Sequence, residues 1–138
     1  MTAMATLHSS GELPLKTERD IVLGRQTVRR LSQEQGFSLV DQTKIVTAAS
    51  ELARNALIYG GGGVLIWEVL LDGIKRGLRL TFKDEGPGIP NVELALTDGW
   101  TSGHGLGLGL SGARRLVNEF ELDSAVGQGT RVTVTRWK

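Results

Sequence analysis

Glycine is placed unevenly in this sequence. Many of its 19 glycines fall in two clusters, one at Gly60–Gly63 and one that alternates with leucine and histidine from Gly103 to Gly112. Because glycine has no Cβ atom, such segments let the backbone approach a ligand closely. The second cluster runs directly into an amphipathic segment, Ser111–Phe120, which a flexible linker does not usually do. It therefore predicts a phosphate-binding loop whose backbone N–H groups lie at the start of a helix.

Other phosphate-binding patterns do not fit this segment. Gly107-Leu-Gly109-Leu-Ser-Gly112 matches the G-x-G-x-x-G pattern of dinucleotide-binding folds. We exclude that interpretation because no strand precedes the segment and no parallel βαβ unit with a ribose-binding acid follows it. The P-loop pattern and the V-A-I-K, H-R-D and D-F-G elements of eukaryotic-type kinases are also missing from the sequence.

Apolar periodicity predicts an α+β arrangement. The order is strand, two helices, strand pair, loop, helix and strand pair, which is typical of a two-layer α+β sandwich with a mixed, mainly antiparallel sheet and helices on one face. We expect one domain over residues 1–138, with residues 1–12 forming a loose lead-in. The predicted elements are Leu13–Lys16, a helix from Thr17 to Gly36, a helix from Ser38 to about Tyr59, Val64–Leu71, Leu78–Lys83, Val92–Leu96, Leu106–Phe120, Glu121–Val126 and Arg131–Trp137.

Composition and charge narrow the possible partners. The formal net charge is +1, which provides no global field to attract a nucleic-acid backbone or an acidic membrane. The absence of cysteine excludes a disulfide framework and suits a reducing compartment. The longest apolar run, Val64–Leu71, is interrupted by Glu68 and is too short to cross a bilayer. We therefore expect a cytoplasmic protein that binds neither nucleic acid nor a membrane.

Two polar residues of the second predicted helix share one face. Glu51 and Asn55 are four residues apart, at the edge of the apolar stripe. A carboxylate suits a general base, and an amide oxygen suits Mg²⁺, a hard cation that otherwise keeps water and phosphate oxygens. Considered alone, however, the pair is more simply explained as a solvated helix rim.

The segment Asp84-Glu-Gly86-Pro-Gly88-Ile directly follows a predicted strand. A carboxylate at a strand end is placed to accept a hydrogen bond from an adenine amino group, and the glycines allow a flat base to approach. An ordinary turn rich in Asp, Gly and Pro explains the same composition equally well.

Taken together and in this order, these segments resemble the N box, G1 box and G2 box of the GHKL superfamily of ATPases and kinases. Within it, the chain resembles RsbT-type kinases over nearly its whole length, which implies a Bergerat-type ATP-binding fold. The matching segments are Asp20-Ile-Val with Arg25-Gln26, Val40-Asp-Gln, Ser50-Glu-Leu-Ala-Arg-Asn55, Glu85-Gly-Pro-Gly-Ile-Pro90, Asp98-Gly99, Gly105-Leu-Gly, Arg115-Leu116 and Gly127-x-Gly-Thr130.

The resemblance implies site roles for matching residues. Glu51 would be the catalytic base for a substrate serine or threonine, and Asn55 would be the Mg²⁺ ligand. Asp84 would recognise adenine through its carboxylate, and Thr130 would support the base through its hydroxyl group. The glycines expected beside the base are Gly86 and Gly88.

The resemblance also implies an ATP lid from about Thr97 to Gly109. Its glycines would free the backbone to contact the phosphates. His104 either contacts the γ-phosphate or is an exposed loop histidine. Arg54 either contacts phosphate or a partner, or is an exposed arginine. The lid residues expected to bind nucleotide are Gly103, His104, Gly105, Leu106, Gly107, Leu108 and Gly109.

Within the superfamily, a stand-alone kinase is the expected member. The segment before Glu51 is too short for the dimerisation helix of sensor histidine kinases, and the transducer elements of gyrase- and chaperone-type ATPases are missing. The resemblance implies transfer of phosphate from ATP·Mg²⁺ to STAS-domain antagonist proteins in a stressosome-type module. A downstream phosphatase or a sigma-regulating protein would be a further partner. The alternative is an anti-sigma-like binding switch with little turnover.

Overall fold

The computed structural model of this protein describes residues 5–89, 91–96 and 110–138. Its helices and strands follow the predicted order along the chain. They are β1 (Thr6–Leu15), α1 (Glu18–Glu34), α2 (Leu39–Ile58), β2 (Gly63–Asp72), β3 (Lys75–Asp84), α3 (Val92–Ala95), α4 (Leu110–Arg115), β4 (Glu119–Ser124) and β5 (Thr130–Trp137).

The five described strands form one sheet in the order β1-β2-β3-β5-β4. Each of the four pairings is antiparallel, so the mixed sheet expected from the sequence is corrected to an antiparallel one in the described residues. Strand β5 lies between β3 and β4, which brings Thr130 directly opposite Asp84.

Strand β1 corrects the predicted N-terminal boundary. Residues 6–12, expected in a loose lead-in, belong to this strand and pair with β2 from Thr6 opposite Leu71 onwards. Their sequence is mainly polar, and most of their side chains are exposed. An edge strand needs backbone bonds to one neighbour only, so it forms here without an apolar pattern, and it tolerates Pro14.

Side-chain caps set the starts of the two long helices. Thr17 and Asp20 form a reciprocal capping box at the start of α1, as their Thr-x-x-acid spacing predicts. The Ser38 hydroxyl accepts from the Asp41 N–H at 3.1 Å and caps α2. Gly36, at φ 80°, ends the first helical segment. Among the helices described, none combines the length and apolar character needed to cross a membrane.

The core lies between one sheet face and the helices. Alternate residues of the central strands are buried beneath α1 and α2, which confirms a two-layer α+β fold with helices on one face. The opposite sheet face carries polar pairs such as Glu68 and Arg79, joined at 2.8 Å. The fully buried large apolar side chains are Leu15, Ile21, Val28, Ile45, Leu52, Leu65, Val69, Leu70, Leu78, Leu80 and Val134.

The last helix is followed by a strand earlier than the sequence predicted. The helix was expected to continue to Phe120, but α4 ends at Arg115 and Phe120 lies in β4, opposite Val134. Asn118 explains the change of direction: its N–H donates to the Thr135 carbonyl at 2.9 Å, and its Oδ1 accepts from the Trp137 N–H at 2.7 Å. These bonds draw the chain into the sheet.

Candidate functional site

A cavity opens where the end of α2, the end of β3 and the start of β5 meet. Leu110 of α4 and the loop after β3 also line it, so the cavity is built by segments that are far apart in sequence. Its apolar walls and few polar groups are typical of a small-molecule site. The lining residues are Leu52, Asn55, Ala56, Tyr59, Gly60, Phe82, Asp84, Gly88, Ile89, Leu110, Thr130 and Val132.

Helix α2 supplies the two polar residues predicted from its sequence. Asn55 is half-buried and lines the cavity. Glu51 lies one turn earlier and is exposed. Because residues four apart project from one face of a helix, Glu51 and Asn55 lie on the same side of α2. Asn55 lines the cavity, whereas Glu51 is not among its lining residues.

Asp84 is the carboxylate of the cavity. Its Oδ1 accepts a hydrogen bond from the Gly86 N–H at 2.9 Å. Burial raises the pKa of the Asp84 carboxyl, and hydrogen bonds from the backbone of Gly86 and Thr130 partly oppose that shift. The carboxyl is thus held in one orientation by backbone donors and is partly removed from water, as suits a group that recognises a ligand.

Two glycines of the cavity wall allow other parts of the chain to approach closely. A Cβ atom on Gly60 would overlap the carboxyl group of Asp84. Gly88 has φ +79°, and a Cβ atom there would overlap the carbonyl oxygen of Ala125. Both positions need glycine, the first for close approach and the second also for its backbone conformation. The turn-rich segment after β3 is therefore part of a cavity wall rather than an ordinary exposed turn.

A cluster of hydroxyl groups supports the part of the cavity wall that contains Ile89 and Thr130. The Ser124 Oγ accepts from the Ile89 N–H at 2.8 Å and donates to the Gly129 carbonyl at 2.9 Å. It also lies 2.9 Å from Oγ1 of Thr130. Sequence reasoning identified Thr130 but missed Ser124, because a single serine in a strand carries no recognisable pattern.

The side chains present fit a nucleotide with Mg²⁺. Asp84 and Thr130 offer oxygen acceptors in a cavity whose other lining residues are mainly apolar. Within residues 5–89, 91–96 and 110–138, no group of three or more His, Cys, Asp or Glu could hold a metal ion. Mg²⁺ commonly uses one or two protein ligands together with water and substrate phosphates, so a single amide such as Asn55 suits it.

The structure adds cavity residues that the sequence patterns did not assign. Tyr59 is the C-cap of α2, and Gly60 follows it. Their position just after Asn55, within the next helical turn, was a usable signal. Leu110 begins α4 and is buried against the cavity. The predicted lid residues Gly103, His104, Gly105, Leu106, Gly107, Leu108 and Gly109 lie outside the described residues.

Arg54 is an exposed residue of α2, as in the second of the two expectations for it, and it does not line the cavity. Its guanidinium lies 3.4 Å from Glu18 of α1, and both side chains are exposed. The second half of α2 thus contributes both to the cavity and to the contact with α1.

Comparison with known proteins identifies the family. Residues 40–138 match the family of histidine kinase-, DNA gyrase B- and HSP90-like ATPases. The serine/threonine-protein kinase RsbT of Bacillus subtilis (strain 168) is 45% identical over 123 residues, which cover 89% of this chain and 92% of RsbT. An anti-sigma F factor of Clostridium acetobutylicum is 31% identical over 119 residues, which cover 81% of each chain.

Solved structures share the fold. One contains the RsbU and RsbW domains of a Mycobacterium tuberculosis protein; it matches at a TM-score of 0.63 and 24% identity, over 94% of this chain and 32% of that one. The histidine kinase domain of a blue-light activated kinase from Erythrobacter litoralis matches at a TM-score of 0.55 and 20% identity, over 89% of this chain and 60% of that one. This chain is a member of the RsbT-type serine/threonine-protein kinases, within the histidine kinase-, DNA gyrase B- and HSP90-like ATPase family.

Proposed function

We propose that this protein transfers phosphate from ATP·Mg²⁺ to a serine or threonine of STAS-domain antagonist proteins. The observation that carries the proposal is the joint position of three residues: Asn55 and Asp84 line one cavity, and Glu51 is exposed one turn from Asn55. A site for a nucleotide and a site for a protein hydroxyl would then lie side by side.

In this proposal, the base of ATP lies between Asp84 and Thr130. The Asp84 carboxyl, already held by the Gly86 N–H at 2.9 Å, accepts from the adenine amino group. Gly88 lines the cavity near this carboxyl, and Gly86 packs against the backbone of Gly60. The phosphates would be bound by backbone N–H groups of the glycine-rich segment from Gly103 to Gly109, which lies outside the described residues.

Bound Mg²⁺ would be held by Asn55 and would neutralise charge on the phosphates. Glu51 accepts the proton of the substrate hydroxyl while the hydroxyl oxygen forms a bond to the γ-phosphorus. At the same time, the bond between the γ-phosphorus and the β–γ bridging oxygen breaks. ADP leaves with that oxygen. Most of the rate enhancement comes from positioning and charge stabilisation, since the transferred group needs little covalent help from the protein.

The exposure of Glu51 supports a protein substrate. A base buried in the cavity is reached by a small molecule only, whereas a base on an exposed helix turn is open to a serine on a folded partner. Arg54, three residues after Glu51 on α2, forms an exposed ion pair with Glu18 at 3.4 Å. Such rim charges affect association rates more than affinity.

The similarity to RsbT supports a place in partner-switching signalling. In that scheme, the kinase is held by STAS-domain proteins, phosphorylates them, and on release activates a downstream phosphatase or another sigma-regulating output. The 138 residues act as one domain. The protein acts in the cytoplasm, where ATP is available and which, as a reducing compartment, suits a chain without cysteine.

A second candidate function is a nucleotide-dependent binding switch with little turnover. It is supported by the 31% identity to an anti-sigma F factor over 119 residues. The presence of an exposed Glu51 one helical turn before Asn55 favours the kinase, because a switch that only binds nucleotide does not need a base.

Incubation with γ-labelled ATP, Mg²⁺ and the STAS-domain proteins of the same source tests the proposal, followed by mass mapping of phosphorylated residues. We expect label on a STAS serine or threonine, and its loss with the Asn55→Ala variant. ATP binding without transfer to any such protein would contradict the kinase and favour the binding switch.

A further inference from the structure

Ser124 connects three parts of the cavity wall through one hydroxyl group. Its Oγ is bonded to the Ile89 N–H at 2.8 Å, to the Gly129 carbonyl at 2.9 Å and to the Thr130 hydroxyl at 2.9 Å. Ile89 and Thr130 both line the cavity, and Ser124 stands behind them. One side chain thus ties the loop after β3 to the first residue of β5.

Counting hydrogens fixes the direction of each bond. A serine hydroxyl has one hydrogen to donate and two lone pairs that accept. The Ile89 N–H can only donate, so it takes one lone pair of Ser124. The Gly129 carbonyl can only accept, so it takes the hydrogen. The lone pair that remains on Ser124 is open to a donor, and Thr130 is the neighbour that can supply one.

The reverse arrangement is less favourable. If Ser124 turned its hydrogen towards Thr130, the carbonyl of Gly129, a buried residue, would lose that donor. A buried polar group that loses its hydrogen-bond partner destabilises the protein more than a hydroxyl group that exchanges one acceptor for another. The Thr130 hydroxyl therefore donates to Ser124, and its lone pairs are what it offers to the cavity.

We infer that Ser124 is a positioning residue which turns the hydroxyl hydrogen of Thr130 away from the cavity and so makes the site select a purine with a hydrogen-bond donor at C6. Adenine carries an amino group there, which donates to the lone pairs of Thr130. A 6-oxo purine carries an acceptor, which faces those lone pairs without a hydrogen between them. The inference rests on the proposed binding of ATP at Asp84 and Thr130.

The test compares the affinities of ATP and inosine triphosphate, with Mg²⁺, for the wild type and for Ser124→Ala. Without Ser124, the Thr130 hydroxyl is free to turn its hydrogen to the 6-oxo group. We expect the ratio of the two affinities to fall about tenfold, with preference for ATP remaining because Asp84 is unchanged. Ser124→Thr keeps a hydroxyl and is expected to restore the ratio.

Two further variants separate this role from a general effect on folding. Thr130→Val removes the hydroxyl through which Ser124 acts, so adding Ser124→Ala to it should leave the ratio unchanged. Thr133→Val is the matched control, since Thr133 lies on the same strand but pairs with Thr81 at 3.5 Å on the polar sheet face. It should leave the ratio as in the wild type.

The outcomes are distinct. If the wild type binds neither nucleotide, the proposed function fails and the inference fails with it. If the wild type prefers ATP and Ser124→Ala keeps the wild-type ratio, the inference alone is wrong. An equal fall of the ratio in the presence and absence of the Thr130 hydroxyl would likewise show that Ser124 does not act through Thr130.

Discussion

Gly60 lies against the carboxyl group of Asp84 so closely that no Cβ atom fits between them. This contact joins the end of α2 to the end of β3, and both residues line the cavity. The helix that carries Asn55 is thereby held at a set distance from the strand that carries Asp84. The geometry of the proposed nucleotide site thus depends on the absence of a side chain at residue 60.

Gly60→Ala is expected to displace Asp84 and weaken ATP binding by at least about tenfold, because even one methyl group must overlap the carboxyl group. Gly24→Ala is a matched control in α1, where a new Cβ would lie at an ordinary 3.6 Å from Leu65. It should keep ATP affinity and leave stability equal or higher, since alanine favours a helix by roughly 0.5–1 kcal/mol over glycine. Calorimetric titration measures the ATP affinity of both variants. Equal ATP affinities in the two variants would contradict the role given to the contact.

Asp84→Asn is expected to weaken ATP binding by about tenfold or more while leaving the protein folded. The carboxyl pKa is raised above its ordinary 3.8 mainly by burial. Between that value and the raised pKa, the folded state binds more protons than the unfolded state, so wild-type stability falls as pH increases through this window. Asp84→Asn should lack this component. Urea unfolding at a series of pH values tests the prediction, and identical pH profiles for the two proteins would contradict it.

The contribution of a second carboxylate to stability should depend on pH in the opposite direction. Asp41 accepts from the Arg136 guanidinium at 2.7 Å, and that bond holds its pKa below the ordinary 3.8. Its contribution to stability is therefore complete above that value and is lost as pH falls through the lowered pKa. Asp41→Asn should reduce the free energy of unfolding at neutral pH by about 1–3 kcal/mol, since a partly buried charged hydrogen bond is broken.

The matched control for Asp41 is Asp123→Asn. Asp123 pairs with Arg131 at a similar 3.0 Å, but the two side chains are 74% and 57% exposed. Exposed pairs contribute at most about 1 kcal/mol, so the control should change stability little. Chemical denaturation measures the free energy of unfolding of both variants. A larger loss of stability in Asp123→Asn than in Asp41→Asn would contradict the prediction.

Local signals in the sequence were enough to predict the two long helices, α1 and α2. Thr17 and Ser38 cap their helices through bonds to residues three positions on, and such short-range chemistry is visible in a sequence. The buried alternation of Leu78, Leu80 and Phe82 in β3 was visible for the same reason.

Long-range pairing could not be read in this way. The insertion of β5 between β3 and β4 places Thr130 opposite Asp84, and a strand's partner is not encoded by its own pattern. The resemblance assigned both residues to one ligand without showing that they are neighbours. Strand β1 was missed over residues 6–12, because backbone pairing at a sheet edge requires no apolar side chains.

Ser124 shows a different limit of sequence reasoning. Its role depends on three hydrogen bonds to residues 89, 129 and 130. A serine hydroxyl is common in strands and turns, and its importance arises only from which groups the fold places around it. By contrast, the four-residue spacing of Glu51 and Asn55 predicts a shared helix face, although their proposed roles came only from the resemblance.

In the proposed mechanism, Glu51 acts in phosphate transfer and not in nucleotide binding. Single-turnover transfer of labelled phosphate to the STAS substrate tests it most directly, measured beside ATP affinity for the wild type, Glu51→Ala and the control Thr47→Ala, an exposed residue one turn earlier on α2. We predict that Glu51→Ala keeps wild-type ATP affinity and loses transfer by about 10²- to 10⁴-fold, whereas Thr47→Ala keeps both. Transfer by Glu51→Ala at the wild-type rate would contradict the assignment of Glu51 as the base.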